Sequence, residues 1–430
     1  MSDPGGSTRA RVGAAAPGPE EARPERHGPE LIPRFDAQGF ADDHVAARRA
    51  WIEERTGARL PHVAATSLAG EAMRGNVENP IGAAQVPLGV AGPLLVDGEH
   101  ARGVVYVPLA TSEGALVRSY ERGMVAITRA GGATVRLLAD ENRVCPTLLF
   151  ACLAEAAAFA RRLPELLPAI REDAESTTRH GKLLAVEPRV LGRRVILTFR
   201  WSTGDAGGMN MIVRGSEHAC RRLVERGEAP EFLIFSGMSA EKRPAGALLA
   251  GGKGKGAVAA VDLPRRTVRA VLGTTAEKIG RVWHETVLGH LQAGSLGYNG
   301  HLANGLAALF IATGQDVANV ANCAVGITDL EPTPDGGLHA SVTLPSLVVA
   351  TVGGGTGRGT ARECLEMLGC AGAGGAPRLA EIAAATLLAG EISMGAAIAA
   401  GELVAAHEAY GRNRPQPVEP ATAGGGAEGP

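Results

Sequence analysis

Thr203-Gly204-Asp205-Ala206-Gly207-Gly208-Met209-Asn210-Met211 is the stretch on which the reading of this chain turns. It sets an acid, three glycines and an amide at the start of a predicted helix over residues 209–226. Backbone amides left free at such a start can receive a pyrophosphate. The plainer reading is an N-capped helix, and the residues alone leave both open. No glycine fingerprint follows an early strand with an acid downstream, so a dinucleotide bound here would not sit in a Rossmann fold.

On the N-terminal side of this stretch, residues 152–201 read as a long Ala/Leu/Glu/Arg helix followed by strand-rich sequence containing Val195-Ile196-Leu197-Thr198-Phe199, which predicts a smaller domain. Earlier still, residues 41–56 have an amphipathic helical pattern, and residues 79–92 are punctuated by Pro and Gly. A strand-like Gly103-Val104-Val105-Tyr106-Val107-Pro108 leads into Thr111-Ser112-Glu113-Gly114 and a helix over 115–130, with Ser112 as N-cap and Glu113 at the entrance. On the C-terminal side, Gly251-Gly252-Lys253-Gly254-Lys255-Gly256 fits no Walker frame, which excludes a phosphate-loop NTPase. An apolar helix over 303–313 ends at the turn Gly314-Gln315-Asp316, strands occupy 339–352, and helices run over 379–407. Singly, Glu113 reads as a capping acid, Asp316 as a loop acid and His407 as a solvent-facing histidine.

Forty-three Lys and Arg against 45 Asp and Glu leave a formal charge of -2, which disfavours nucleic acid and anionic membrane as partners. With 59 Gly and 3% aromatics, the core has to pack through small and aliphatic side chains. The six cysteines form no Cys-x-x-Cys pair and no metal-ligand spacing with the histidines, so no metal is expected and a reducing cytoplasm is. Residues 1–29 lack the apolar stretch of a secretory signal. Glu381, Glu391 and Glu402 break the most apolar region, so no membrane span is expected.

Taken together, the motifs resemble the hydroxymethylglutaryl-CoA reductase family, in a class I-like form. The matching blocks are Glu78-Asn79-Pro80-Ile81-Gly82, Pro87-Leu88-Gly89-Val90-Ala91-Gly92-Pro93, Thr111-Ser112-Glu113-Gly114 and the opening stretch from Gly204 to Met211. Glu241-Lys242-Arg243-Pro244-Ala245, Tyr298-Asn299-Gly300-His301, Gly314-Gln315-Asp316 and the segment around His407 follow in the family's order. The resemblance implies an α+β fold with a large catalytic domain and an inserted ferredoxin-like, non-Rossmann domain for NADPH. On that pattern residues 31–150 and 236–410 form the large domain, 151–235 the small one, and 1–30 and 411–430 are disordered ends. It also implies a cytoplasmic homodimer or higher homo-oligomer with active sites at the interface.

The family reaction carries a CoA thioester to an alcohol through a hemithioacetal and an aldehyde. In its pattern Glu113 is the general acid, buried so that its pKa rises, and Lys242 stabilises the oxyanion. Asp316 tunes both, and His407 protonates the departing thiolate. Asp205, Met209 and Asn210, with Thr178 and Arg179, fall at cofactor positions. Ser119, Arg122, Glu241, Arg243 and Asn304 fall at substrate positions. Two departures stand out: Leu149 and Glu285 occupy places where the family pattern has cations for the acyl group's free carboxylate, and Leu248-Leu249 replace an Asn-Trp pair. The first alternative is therefore a same-fold reductase of another acyl thioester. Further alternatives are an acylating dehydrogenase with a cysteine nucleophile and a non-catalytic homologue.

Overall fold

The computed structural model describes residues 31–35 and 39–402. His407 and the expected disordered ends, 1–30 and 411–430, lie outside them. The strands are β1 (Leu88–Asp97), β2 (Arg102–Ala110), β3 (Ala133–Val144), β4 (Thr147–Leu149), β5 (Lys182–Leu191), β6 (Arg194–Ser202), β7 (Glu231–Leu233), β8 (Gly254–Leu263), β9 (Ile327–Pro332) and β10 (Leu338–Leu347). The helices are α1 (Asp42–Thr56), α2 (Pro61–Ala64), α3 (Leu116–Arg129), α4 (Leu153–Glu175), α5 (Met209–Glu225), α6 (Arg265–Leu272), α7 (Ala276–Ala293), α8 (Leu302–Thr313), α9 (Val320–Cys323), α10 (Gly359–Met367) and α11 (Gly375–Ala400).

One strand joins two layers. Thr134 to Glu141 of β3 pair antiparallel with β8, which continues through β10 to β9, while β1 and β2 join on the other side. The last residues of β3, Asn142 to Val144, pair instead with β6. Around β6 the order is β7-β4-β6-β5, all antiparallel. In chain order this smaller layer runs β4-α4-β5-β6-α5-β7, the βαββαβ pattern of a ferredoxin-like unit. Its own core includes Phe159, Phe199, Trp201 and Ile212. Trp201 satisfies its indole N–H on Ser216 Oγ at 3.1 Å.

The larger core is organised by α11. Its composition and length equal those of a membrane span, yet 83% of its most apolar window is buried inside the protein. Small residues let it approach α3 and α8: a Cβ on Gly390 or Gly305 would come within 2.5 or 2.2 Å of Tyr120, which is wedged between them. Its two buried glutamates are satisfied. Glu381 accepts the backbone N–H groups of Glu99, His100 and Ala101 at 2.9, 2.8 and 2.6 Å. Glu391 accepts those of Gly300 and His301 at 2.6 and 2.8 Å and the Thr328 hydroxyl at 2.8 Å. Each carboxylate thus pins a loop to the core helix, and the second loop leads into α8.

Candidate active site

Lys242 sits in a turn where Ala240 and Lys242 both have left-handed backbone, φ 55° and 53°. Such a conformation costs a non-glycine residue about 1 kcal/mol or more and persists only where surroundings fix it. Asp316 is one of those surroundings: its carboxylate lies 2.7 Å from Lys242 Nζ, and its other oxygen accepts Ala318 N–H at 3.1 Å. The hydrogen bond that Lys242 donates to Asp316 raises the Lys242 pKa, overcoming the opposing effect of partial burial. Asp316 follows the turn that closes α8, and Gln315 anchors that turn by bonding both the carbonyl and the N–H of Ala350, at 2.9 and 2.8 Å.

Glu113 is placed differently from expectation. Helix α3 starts at Leu116 behind Ala115 (φ 73°) without a side-chain cap, so Ser112 is no N-cap. Thr111 Oγ1 instead accepts the Glu113 N–H at 2.9 Å and shapes the turn. Glu113 is also exposed in the single chain rather than buried. Asn304 Nδ2 donates to its carboxylate at 3.4 Å. Behind this pair a cleft of about 540 Å³ runs between α3 and α11, reaching Ser119, Arg122, His301 and Glu402. Ser119 and Arg122 both meet Ser393 Oγ, at 3.1 and 3.0 Å, and Arg122 Nη2 donates to the Ser393 carbonyl at 2.7 Å.

The two pairs stand apart. Asn304 lies in the first turn of α8 and Asp316 just past its end, and twelve helical residues span about 18 Å. One chain therefore carries Glu113 with Asn304 at one end of α8 and Lys242 with Asp316 at the other.

The opening stretch is tethered at both of its ends. Asp205 accepts backbone N–H groups of Gly374 and Ala376 at 2.7 and 3.1 Å, capping α11, and its own carbonyl accepts the Thr351 N–H at 2.9 Å. Asn142 Nδ2 donates to the Gly207 carbonyl at 3.0 Å. Gly208 (φ 71°) begins α5 with no side-chain cap, Asn210 is exposed on its first turn, and a Cβ on Gly204 or Gly207 would meet open space. Thr178 is drawn to the same helix start, its hydroxyl 2.9 Å from Met211 Sδ, with Arg179 exposed beside it. An uncapped helix N-terminus, open glycines and a neighbouring arginine fit the pyrophosphate of a dinucleotide.

Glu241 forms an ion pair with the fully buried Lys253, and Arg243 is exposed. Leu149 lies in β4, paired with Arg194 and Glu231 of the small sheet. Sequence reasoning missed Arg143. Its Nε and Nη1 approach the carbonyls of Ser239 and Gly251, each at 3.4 Å, while Nη2 is buried with no partner among the described residues. Its signal was an arginine ending a strand beside a glycine-rich segment. Glu285 is exposed on α7.

This architecture, a large α+β layer with a ferredoxin-like insertion carrying an uncapped glycine turn, defines the class of fold. A class II 3-hydroxy-3-methylglutaryl-CoA reductase from Streptococcus pneumoniae, solved bound to NADPH in open conformations, shares it with a TM-score of 0.63 at 20% identity, covering 85% of this chain and 100% of that one. The hydroxymethylglutaryl-coenzyme A reductase family profile matches residues 44–412. The 3-hydroxy-3-methylglutaryl-coenzyme A reductase of Methanothermobacter thermautotrophicus is 45% identical over 86% of this chain and 94% of its own length. That of Haloferax volcanii is 41% identical over 90% and 97%. The chain belongs to the hydroxymethylglutaryl-coenzyme A reductase family.

Proposed function

We propose that this protein reduces 3-hydroxy-3-methylglutaryl-CoA to mevalonate and CoA with NADPH, in isoprenoid precursor synthesis. The observation that carries the reading is the Lys242–Asp316 pair, a cation held protonated on a strained turn inside a family motif. Two NADPH, bound one after the other, would supply the two hydrides of this four-electron reduction. Asp205, Met209, Asn210, Thr178 and Arg179 of the small domain, residues 151–235, would hold each, with the pyrophosphate at the start of α5. Lys242 faces the oxygen that gains charge as the thioester carbonyl becomes tetrahedral, and stabilises it. Glu113 delivers the proton to that oxygen, and Asn304 orients its carboxyl. Asp316 keeps Lys242 charged. His407 protonates the CoA thiolate, whose free pKa is about 8.5.

Ser119 and Arg122 line the cleft for the nucleotide part of CoA. Glu241 and Arg243 flank the acyl group, and Arg143, with its unpartnered Nη2, takes the free carboxylate in place of the missing cations. The separation of the two pairs along α8 supports a homodimer in which Glu113 of one chain meets Lys242 of its partner. Burial of Glu113, absent in the single chain, would follow from that docking. We place the enzyme in the cytoplasm.

Purified protein should oxidise NADPH in a 3-hydroxy-3-methylglutaryl-CoA-dependent manner and release free CoA. No such oxidation would overturn the proposal. Turnover confined to thioesters without a free carboxylate would instead favour the same-fold alternative, which the acid at Glu285 recommends.

A further inference from the structure

The Gly251 to Gly256 segment, which fits no nucleotide motif, carries two lysines separated by one glycine at the start of β8. Lys253 stands just before the strand and Lys255 within it. The intervening Gly254 (φ 86°) is forced: a Cβ there would lie 2.4 Å from the Leu347 carbonyl oxygen. Both lysines are buried, Lys253 at 0% and Lys255 at 3% exposure. Lys255 Nζ bonds Asp140 at 2.8 Å and lies 3.4 Å from the carbonyl of Gly204, the start of the glycine turn. Lys253 Nζ pairs with Glu241 and lies 3.3 Å from Met209 Sδ, the end of the same turn.

We infer that Lys253 is a positioning residue for the reaction: it holds Glu241, and so the left-handed turn bearing Lys242, against the start of the dinucleotide-binding helix. This rests on the functional reading above. A buried ammonium is held here because Glu241 meets it; remove either partner and the other is stranded in a desolvated place. Burial pulls the Lys253 pKa down and Glu241 opposes that fall. Arg143, the other cation facing it, presses the same way as burial, so Glu241 is what keeps the group in place. The catalytic turn and the cofactor turn thereby share one side chain, and disturbing it should be felt by both ligands.

The test uses the full-length enzyme and four variants: Lys253→Met, Lys253→Arg, Glu241→Gln and the double Lys253→Met/Glu241→Gln. Wild-type turnover of 3-hydroxy-3-methylglutaryl-CoA with NADPH checks the functional reading separately. Lys253→Met should lower kcat by at least about 30-fold and raise KM for both thioester and NADPH, while Lys253→Arg stays within about 3-fold of wild type. The double variant should lose no more than the worse single variant, because the two residues act as one unit. If Lys253→Met does not fold, Lys253→Gln takes its place in the same cycle. Losses that add independently, a KM change for one ligand only, or near-normal turnover without Lys253 would overturn the inference.

Discussion

At the scale of single residues, the site is a set of charges whose partners decide their roles. Because Asp316 raises the Lys242 pKa, the stabilisation from that pair is fully present below the ordinary lysine value and is lost as pH rises through the raised one. The alkaline limb of kcat/KM should therefore lie above the ordinary value of about 10.4, and Asp316→Asn should move it downward. A limb that stays put would separate it from Lys242. Arg143→Met should raise KM for 3-hydroxy-3-methylglutaryl-CoA by about 10- to 100-fold, as expected for losing a charge-assisted contact, with NADPH binding unchanged. Equal effects on both ligands would return Arg143 to a structural role. The sequence motifs located Glu113, Lys242 and Asp316 because each sits beside turn residues that identify it. Arg143 escaped because nothing local distinguishes an arginine at a strand end; only its approach to Ser239 and Gly251, roughly a hundred positions away, does so.

At the scale of elements, α11 does two separable jobs through two buried carboxylates. Glu381→Gln and Glu391→Gln each leave a backbone donor poorly matched and should each cost about 1–3 kcal/mol in urea unfolding. Only Glu391→Gln should also depress kcat, since the loop it holds leads to Asn304 and so to Glu113. Equal kinetic losses in both variants would deny that division. Helices α1, α5 and α8 are legible in the sequence to within a residue or two. The cap of α3 is not Ser112, because Ala115 enters the helix in a left-handed conformation that no side chain announces. Within the Pro- and Gly-punctuated residues 79–92, regular strand pairing begins only at Leu88.

At the scale of the whole molecule, the composite site makes a quantitative demand. Mixing Glu113→Ala and Lys242→Ala enzymes under conditions that exchange subunits should restore about a quarter of wild-type activity: half the dimers are mixed, and each has one intact site. Sites complete within one chain would give no recovery, and sedimentation should report a dimer. Composition alone could not disclose this arrangement, since the length of α8 between Asn304 and Asp316 acquires meaning only once both partners are placed. The strand β3 has a mechanical consequence as well. It is a continuous strut built into both sheets, with a register irregularity between Leu137 and Ala139. The small layer is thus fastened twice, by the shared strand β3 and by Asp205, which caps α11 and bonds Thr351, so any swing of that layer has to strain both fastenings at once.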